Sequence, residues 1–191
     1  MPVPADYDGD GLADVAVWNP ISGEWKYQPS AESDGQPKVV RILGNYGDIP
    51  VPADYDGDGK AEPAIFRPIL DKWIIAAGIG EKSIDFGNTA SRFALSADFD
   101  GDGKADPALY GKGIWAYFSS QSGVIEKFVF GFSNDVPVVS DYDGDGTADF
   151  ATCRDGNWYL YLSGSPALKI LDFGRGGDLP LSSFSAKAPR D

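Results

Sequence analysis

A nine-residue acidic segment recurs four times in this 191-residue chain, and its spacing limits the fold more than any other feature. The copies stand in VPADYDGDGLADVAVW from Val3, VPADYDGDGKAEPAIF from Val51, LSADFDGDGKADPALY from Leu95 and VVSDYDGDGTADFATC from Val138. Their first aspartates, Asp6, Asp54, Asp98 and Asp141, lie 48, 44 and 43 residues apart. A second marker keeps step: Trp25, Trp73, Trp115 and Trp158 each follow the acidic segment by about two strands' length. The third is an aromatic or Gly-Asn turn before the next unit, at Leu43-Gly44-Asn45, Phe86-Gly87-Asn88, Phe130-Gly131 and Phe173-Gly174. Units of this length with three markers in register are structural repeats. The longer first period comes from a polar stretch around Ser30–Lys38, which reads as a surface loop.

Within each repeat the apolar runs are short and bounded by Gly, Pro and Asp, the pattern of small antiparallel strands. In the second repeat, strand a is expected over Ile49–Ala53, b over Pro63–Arg67, c over Lys72–Ala76 and d over Ser83–Phe86. The 24 Gly, 14 Pro and 25 aromatic residues favour strands and turns over long helices. Four antiparallel strands every ~40–45 residues is blade spacing. The expected fold is all-β: a β-propeller of four blades, four antiparallel strands each, forming one domain over 1–191. The repeats run approximately 1–48, 49–92, 93–135 and 136–178. The lead-in to strand a occurs a fifth time, at Gly177-Asp178-Leu179-Pro180, but Phe184-Ser185-Ala186 replaces the acidic loop. That predicts an extra C-terminal strand over 179–184. It also keeps two alternatives beside the four-bladed monomer: half of an eight-bladed homodimer, or a fragment of a longer propeller.

Each acidic segment reads Asp-x-Asp-Gly-Asp-Gly-x-x-Asp/Glu. The carboxylates are Asp6, Asp8, Asp10 and Asp14; Asp54, Asp56, Asp58 and Glu62; Asp98, Asp100, Asp102 and Asp106; Asp141, Asp143, Asp145 and Asp149. Four acids in nine residues repel one another unless a cation holds them together. All-oxygen donors without imidazole or thiolate select a hard ion, and a flexible loop offering six to eight ligands favours Ca²⁺ over Mg²⁺. The backbone carbonyls of Leu12, Lys60, Lys104 and Thr147, at loop position seven, are expected to complete the sphere. An EF-hand is excluded, because position twelve holds Val17, Ile65, Leu109 or Thr152 instead of Glu, and the flanks read as strands. The sixteen loop acids are more than half of the 29 in the chain, and four Ca²⁺ per chain would bring the net charge from −13 to −5.

Composition removes several function classes. A strongly acidic chain lacks the positive field that nucleic acid or an anionic membrane requires. No apolar run approaches the ~18–20 residues of a membrane helix. With 0 His there is no Ser-His-Asp triad or Cys-His dyad, and with 1 Cys no intrachain disulfide. Met1 leads directly into repeat sequence without a signal peptide, so the chain reads as a mature domain or an excised piece. Cys153 aligns with Trp18, Phe66 and Tyr110, which makes it a packing residue. Asp48, Asp135 and Asp178 recur at one repeat position, suggesting a turn role. The other non-loop acids are scattered, so no catalytic residues are assigned and the chain is read as a non-enzyme. Trp73 and its equivalents read as core, and Trp18, Tyr46 and Trp115 are the candidate sugar platforms. Arg67, Arg92, Arg154 and Arg175 are candidates for an acidic ligand, or for pairing within loops and turns.

The loops and the apolar strands after them resemble the FG-GAP/VCBS repeats of integrin α-subunit propellers and of bacterial secreted proteins. The resemblance spans Val3 to about Pro180. It implies a calcium-loaded propeller with ions between strands a and b of each blade. It also implies an extracellular or cell-surface setting and a binding or adhesion role. Two departures stand out: integrin-type propellers have seven blades where this chain has four loops, and the C-terminal fifth copy of strand a lacks its acidic loop. The consensus is also imperfect in the third repeat, which has Gly111 in place of the proline after its second strand. The expected partner is a glycan or a protein of unknown identity. The alternatives are an accessory or catalytic domain of a polysaccharide-degrading enzyme, and a purely structural repeat.

Overall fold

A computed structural model describes residues 1–30, 36–87, 93–165 and 167–180. The chain forms two compact units that divide between Thr89 and Ala90, and each holds two of the repeats. Among the described residues no helix is long and apolar enough to cross a membrane.

Every repeat is its own antiparallel sheet, in strand order a-b-c-d. The first sheet contains β1 (Val15–Trp18), β2 (Glu24–Gln28) and β3 (Lys38–Ile42). Its strand a is reduced to bridges, Pro2 to Val17 and Ala5 to Asp14. The second sheet is β4 (Ile49–Pro50), β5 (Ala64–Arg67), β6 (Lys72–Ala77) and β7 (Gly80–Asp85). β8 (Phe93–Ala97), β9 (Asp106–Gly111), β10 (Ile114–Phe118) and β11 (Ile125–Val129) form the third. The fourth is β12 (Val136–Pro137), β13 (Phe150–Arg154), β14 (Asn157–Tyr161) and β15 (Leu168–Asp172). The expected strands of the second repeat are therefore present, with strand a shortened. Pro52 cannot donate to a ladder, and pairing resumes only at the Ala53–Glu62 bridge. A single 3₁₀ turn, Pro68–Leu70, makes the expected b-to-c connection. The predicted strand over 179–184 is not formed at Leu179 and Pro180, and the rest of it lies outside the described residues.

The tryptophans explain why the sequence markers keep step. Trp25, Trp73 and Trp115 are buried at 0–1% exposure, as expected for core residues. In the first, third and fourth repeats the indole N–H finds the carbonyl before the glycine of the third marker, whereas the buried Trp73 Nε1 has no partner among the described residues. Trp25 and Trp18 donate to Leu43 O (3.0 and 2.9 Å), Trp115 to Phe130 O (3.1 Å) and Trp158 to Phe173 O (2.9 Å). Burying an indole favours such an acceptor, so in those three repeats the two markers are halves of one contact.

In the first unit, Val3, Tyr7, Trp18 and Trp25 of one sheet pack against Ala61, Ile65 and Ala76 of the next. In the second unit, Leu95, Phe99, Tyr110 and Trp115 pack against Val139 and Ala148. Phe150 joins that cluster with its ring 5.0 Å from Phe99 and 4.7 Å from Phe128. Cys153 is buried beside Val138, Ala151 and Leu160, the packing role its alignment predicts.

Candidate metal centre

Each acidic loop is pinched shut at its base by a backbone pair. The small residue before the loop bridges the acid at position nine: Ala5 to Asp14, Ala53 to Glu62 and Ser140 to Asp149, with Ala97 facing Asp106 in the β8–β9 register. The position-one carboxylate then organises the turn. Asp6 accepts from the amides of Gly9 (2.6 Å) and Gly11 (2.8 Å). Asp54, Asp98 and Asp141 repeat this with Gly57 and Gly59, Gly101 and Gly103, and Gly144 and Gly146. At the two loop positions that hold glycine the backbone lies at positive φ, +83° and +86° in the first loop, where a side chain is disfavoured.

The closing acid completes the curl. Asp14, Glu62, Asp106 and Asp149 each accept from the amide at loop position two, at 2.9, 2.7, 2.9 and 2.7 Å. That residue is aromatic in every repeat. Tyr7, Tyr55 and Tyr142 also donate their hydroxyls to the carbonyls of Val3, Val51 and Val138. Phe99 has no hydroxyl and instead stacks on Tyr117 and Phe150.

The loops bring one oxygen from each of several acids within 4.8 Å of one another. The groups are Asp6, Asp8 and Asp10; Asp54, Asp56, Asp58 and Glu62; Asp98, Asp100 and Asp106; and Asp141, Asp143 and Asp149. Only the second loop gathers all four of its carboxylates, while Asp14, Asp102 and Asp145 stand outside their groups. The amides of Leu12, Lys60, Lys104 and Thr147 donate to the position-five acid at 2.8–2.9 Å, which fixes the backbone at position seven. Burial among like charges is reflected in the titration of the group. Burial, with neighbouring loop carboxylates adding to it, pushes Glu62 and Asp106 up to about 7 and also raises Asp14 and Asp98. Oxygen-only donors packed this closely suit a hard cation, whose charge would remove that repulsion.

Serines that the sequence reading passed over also belong to the loops. Ser30, Ser120 and Ser163 donate their amides to Asp14, Asp106 and Asp149 at 2.7–2.8 Å. Their hydroxyls reach Asp10 (2.8 Å), Asp102 (2.8 Å) and Asp145 (3.0 Å). The signal was available: each lies five residues after its repeat's tryptophan, where the second repeat has Gly78.

Neighbouring loops touch inside each unit. Ala61 N donates to Asp6 O at 2.6 Å and Ala148 N to Asp98 O at 2.7 Å.

Two of the three candidate sugar platforms are overturned. Trp18 and Trp115 are buried by sheet packing, at 1% and 0% exposure, and only Tyr46, at 87%, presents its ring to solvent. Phe132 is a second exposed ring, with the Arg154 guanidinium 4.6 Å from its centroid. Arg67 and Arg154 are engaged by Asp48 and Asp135, so they hold turns and do not project toward a ligand. Arg92 lies outside the described residues. Asp48, Asp135 and Asp178 cap their turns, accepting from the amides of Asn45, Phe132 and Arg175.

No protein-family model matches the chain, and no curated protein matches it. Among solved structures it is similar to an Agrocybe aegerita lectin described by its specific recognition of non-reducing terminal N-acetylglucosamine. The TM-score is 0.56 at 18% identity, covering 96% of this chain and 52% of the lectin chain. The chain thus spans about half the length of that lectin, and the likeness is one of fold.

Proposed function

We propose that the chain is a non-catalytic, calcium-stabilised glycan-binding module of propeller architecture, working outside the cell. The observation that carries the glycan reading is the fold likeness to a lectin that recognises terminal N-acetylglucosamine, extending over 96% of the chain. The calcium reading rests on the donor set. Asp6, Asp8 and Asp10; Asp54, Asp56, Asp58 and Glu62; Asp98, Asp100 and Asp106; and Asp141, Asp143 and Asp149 would hold one ion per loop. The position-seven carbonyls of Leu12, Lys60, Lys104 and Thr147 would add to it. A bound ion would neutralise the converging carboxylates and lock each loop in its curled form. Extracellular modules bind calcium with dissociation constants of ~10⁻⁴–10⁻³ M, and at ~1 mM calcium each filled site adds up to ~1.4 kcal/mol of stability.

For the sugar itself, the turns joining strand d to the next strand a supply the exposed rings Tyr46 and Phe132. A sugar's apolar face stacks on such rings, and repeated sites across repeats raise avidity for branched or clustered glycans. The test is a glycan array probed with the chain in calcium, followed by calorimetry with the best oligosaccharide. Binding of N-acetylglucosamine-terminated glycans that is lost on Tyr46→Ala and Phe132→Ala supports the assignment. Binding of other glycans only would move the specificity. No glycan binding in calcium, with the protein folded, would overturn the lectin reading.

A further inference from the structure

Three of the loops borrow a hydroxyl from the c-to-d turn of their own repeat, and one does not. Ser30, Ser120 and Ser163 make the same paired contact: amide to the closing acid, hydroxyl to the acid at position five. At Asp10, Asp102 and Asp145 the first oxygen of the carboxylate already accepts from the position-seven amide. The serine fixes the second oxygen; Asp10 belongs to the converging group of its loop, Asp102 and Asp145 border theirs in sequence, and the Ser163 hydroxyl also reaches the grouped Asp149 at 2.9 Å. In the third and fourth loops the same turns also reach position three. Ser119 Oγ and Gln121 N donate to Asp100 Oδ2 at 2.5 and 3.1 Å, and Gly164 N to Asp143 Oδ2 at 3.3 Å.

The second repeat departs on both sides of this contact. Its position five residues after tryptophan is Gly78, which carries no hydroxyl, and its closing acid is Glu62, one methylene longer than aspartate. β6 runs on to Ala77 and turns straight into β7. The turn is held from elsewhere: Arg41 donates to the carbonyls of Gly78 (2.9 Å) and Gly80. This is also the loop that gathers four carboxylates.

We propose that Ser30, Ser120 and Ser163 are positioning residues for the cation loops. They divide the four sites into two classes, three dependent on a turn hydroxyl and a fourth, Asp54–Glu62, independent of one. This rests on the reading of the loops as calcium sites. Outer partners that orient a ligating carboxylate contribute about 10- to 100-fold to metal affinity. The closing acids keep their backbone bonds when a serine is changed to alanine, so the loop shape survives while the hydroxyl is lost.

The experiment is calorimetric titration of the full chain with calcium alone, paired with native mass spectrometry at stepped free calcium. The wild type is expected to take up four ions in a three-plus-one pattern. Ser30→Ala, Ser120→Ala and Ser163→Ala should each weaken one site about tenfold or more. The corresponding threonine variants, which keep a hydroxyl, should restore it. A triple alanine variant should retain one tight ion, removed by adding Asp54→Asn. If the folded triple variant binds four ions with wild-type affinities, or threonine fails to rescue, the positioning role is overturned and the calcium reading stands. A wild type that binds no calcium overturns both.

Discussion

Arg67 grips Asp48 with two parallel hydrogen bonds, Nε to Oδ1 at 2.8 Å and Nη2 to Oδ2 at 2.7 Å. The carboxylate side chain is only 3% exposed. The fourth repeat rebuilds the pair differently. Arg154 Nη1 holds Asp135 Oδ1 at 2.9 Å, and Thr152 donates its hydroxyl to Oδ2 at 3.0 Å. Both pairs clamp the turn from strand d into the next strand a, and so set the register of the loop that follows.

The difference in geometry predicts different costs. Arg67→Ala leaves the buried Asp48 carboxylate with the Asn45 amide alone and should destabilise the chain by about 3 kcal/mol. Arg154→Ala leaves Asp135 with Thr152 and the Phe132 amide and should cost about 1–2 kcal/mol. Arg67→Lys should recover less than half of the loss, because an ammonium cannot make the fork. Urea denaturation in saturating calcium checks all three values.

Glycines of similar backbone conformation should respond unequally. Gly113 lies at φ +76°, and a Cβ there would stand 2.5 Å from the carbonyl oxygen of Gly131. Gly123, at φ +72°, has nothing within 4 Å of that position. Gly123→Ala should therefore cost only the left-handed penalty, about 1–2 kcal/mol. Gly113→Ala must also displace the backbone of the turn at Gly131 and should lose about 3 kcal/mol or more, read as a shift in the denaturation midpoint.

In chelator, stability should fall as pH rises. Glu62 and Asp106 titrate at about 7 in the folded chain without an ion, because burial disfavours their charge. In the unfolded chain they titrate at about 4. The folded state therefore binds more protons between these values, and stability declines from about pH 4 to 7 and then levels off. Saturating calcium should flatten or reverse that slope. Thermal unfolding between pH 5 and 8, with and without chelator, gives both curves. A chelated protein equally stable at pH 5.5 and 8 would contradict the prediction.

Phe150 is the ring on which the second unit's core converges, facing Phe99, Trp115, Tyr117 and Phe128. Phe150→Ala should cost about 3–5 kcal/mol. Phe173→Ala, at a ring 75% exposed, should stay within about 0.5 kcal/mol. Paired melts of the two variants decide this.

The repeat markers carried most of the fold. Strands bounded by Gly, Pro and Asp are local signals, and the second repeat's strands fall within a few residues of where its turn residues put them. The loops were equally legible, since carboxylate spacing is written in consecutive residues. What stayed hidden depends on contacts across the sheet. Ser30, Ser120 and Ser163 approach their acids from 14–20 residues away, and an isolated serine carries no pattern of its own. In the sequence Trp18 and Trp115 read as sugar platforms because an aromatic beside polar turn residues looks exposed. Burial by the facing sheet removes them, and Tyr46 keeps its place because it sits at the tip of the d-to-a turn.

The bond from Ala61 N to Asp6 O, and its twin from Ala148 N to Asp98 O, bears on how the chain is made. The first acidic loop is finished by an amide that leaves the ribosome more than fifty residues after the carbonyl it caps. A nascent chain ending within the first repeat therefore has an incomplete loop and an uncovered sheet. Two successive repeats are thus the shortest length of chain that can close this contact, and each contact closes only once the second repeat of its pair has emerged.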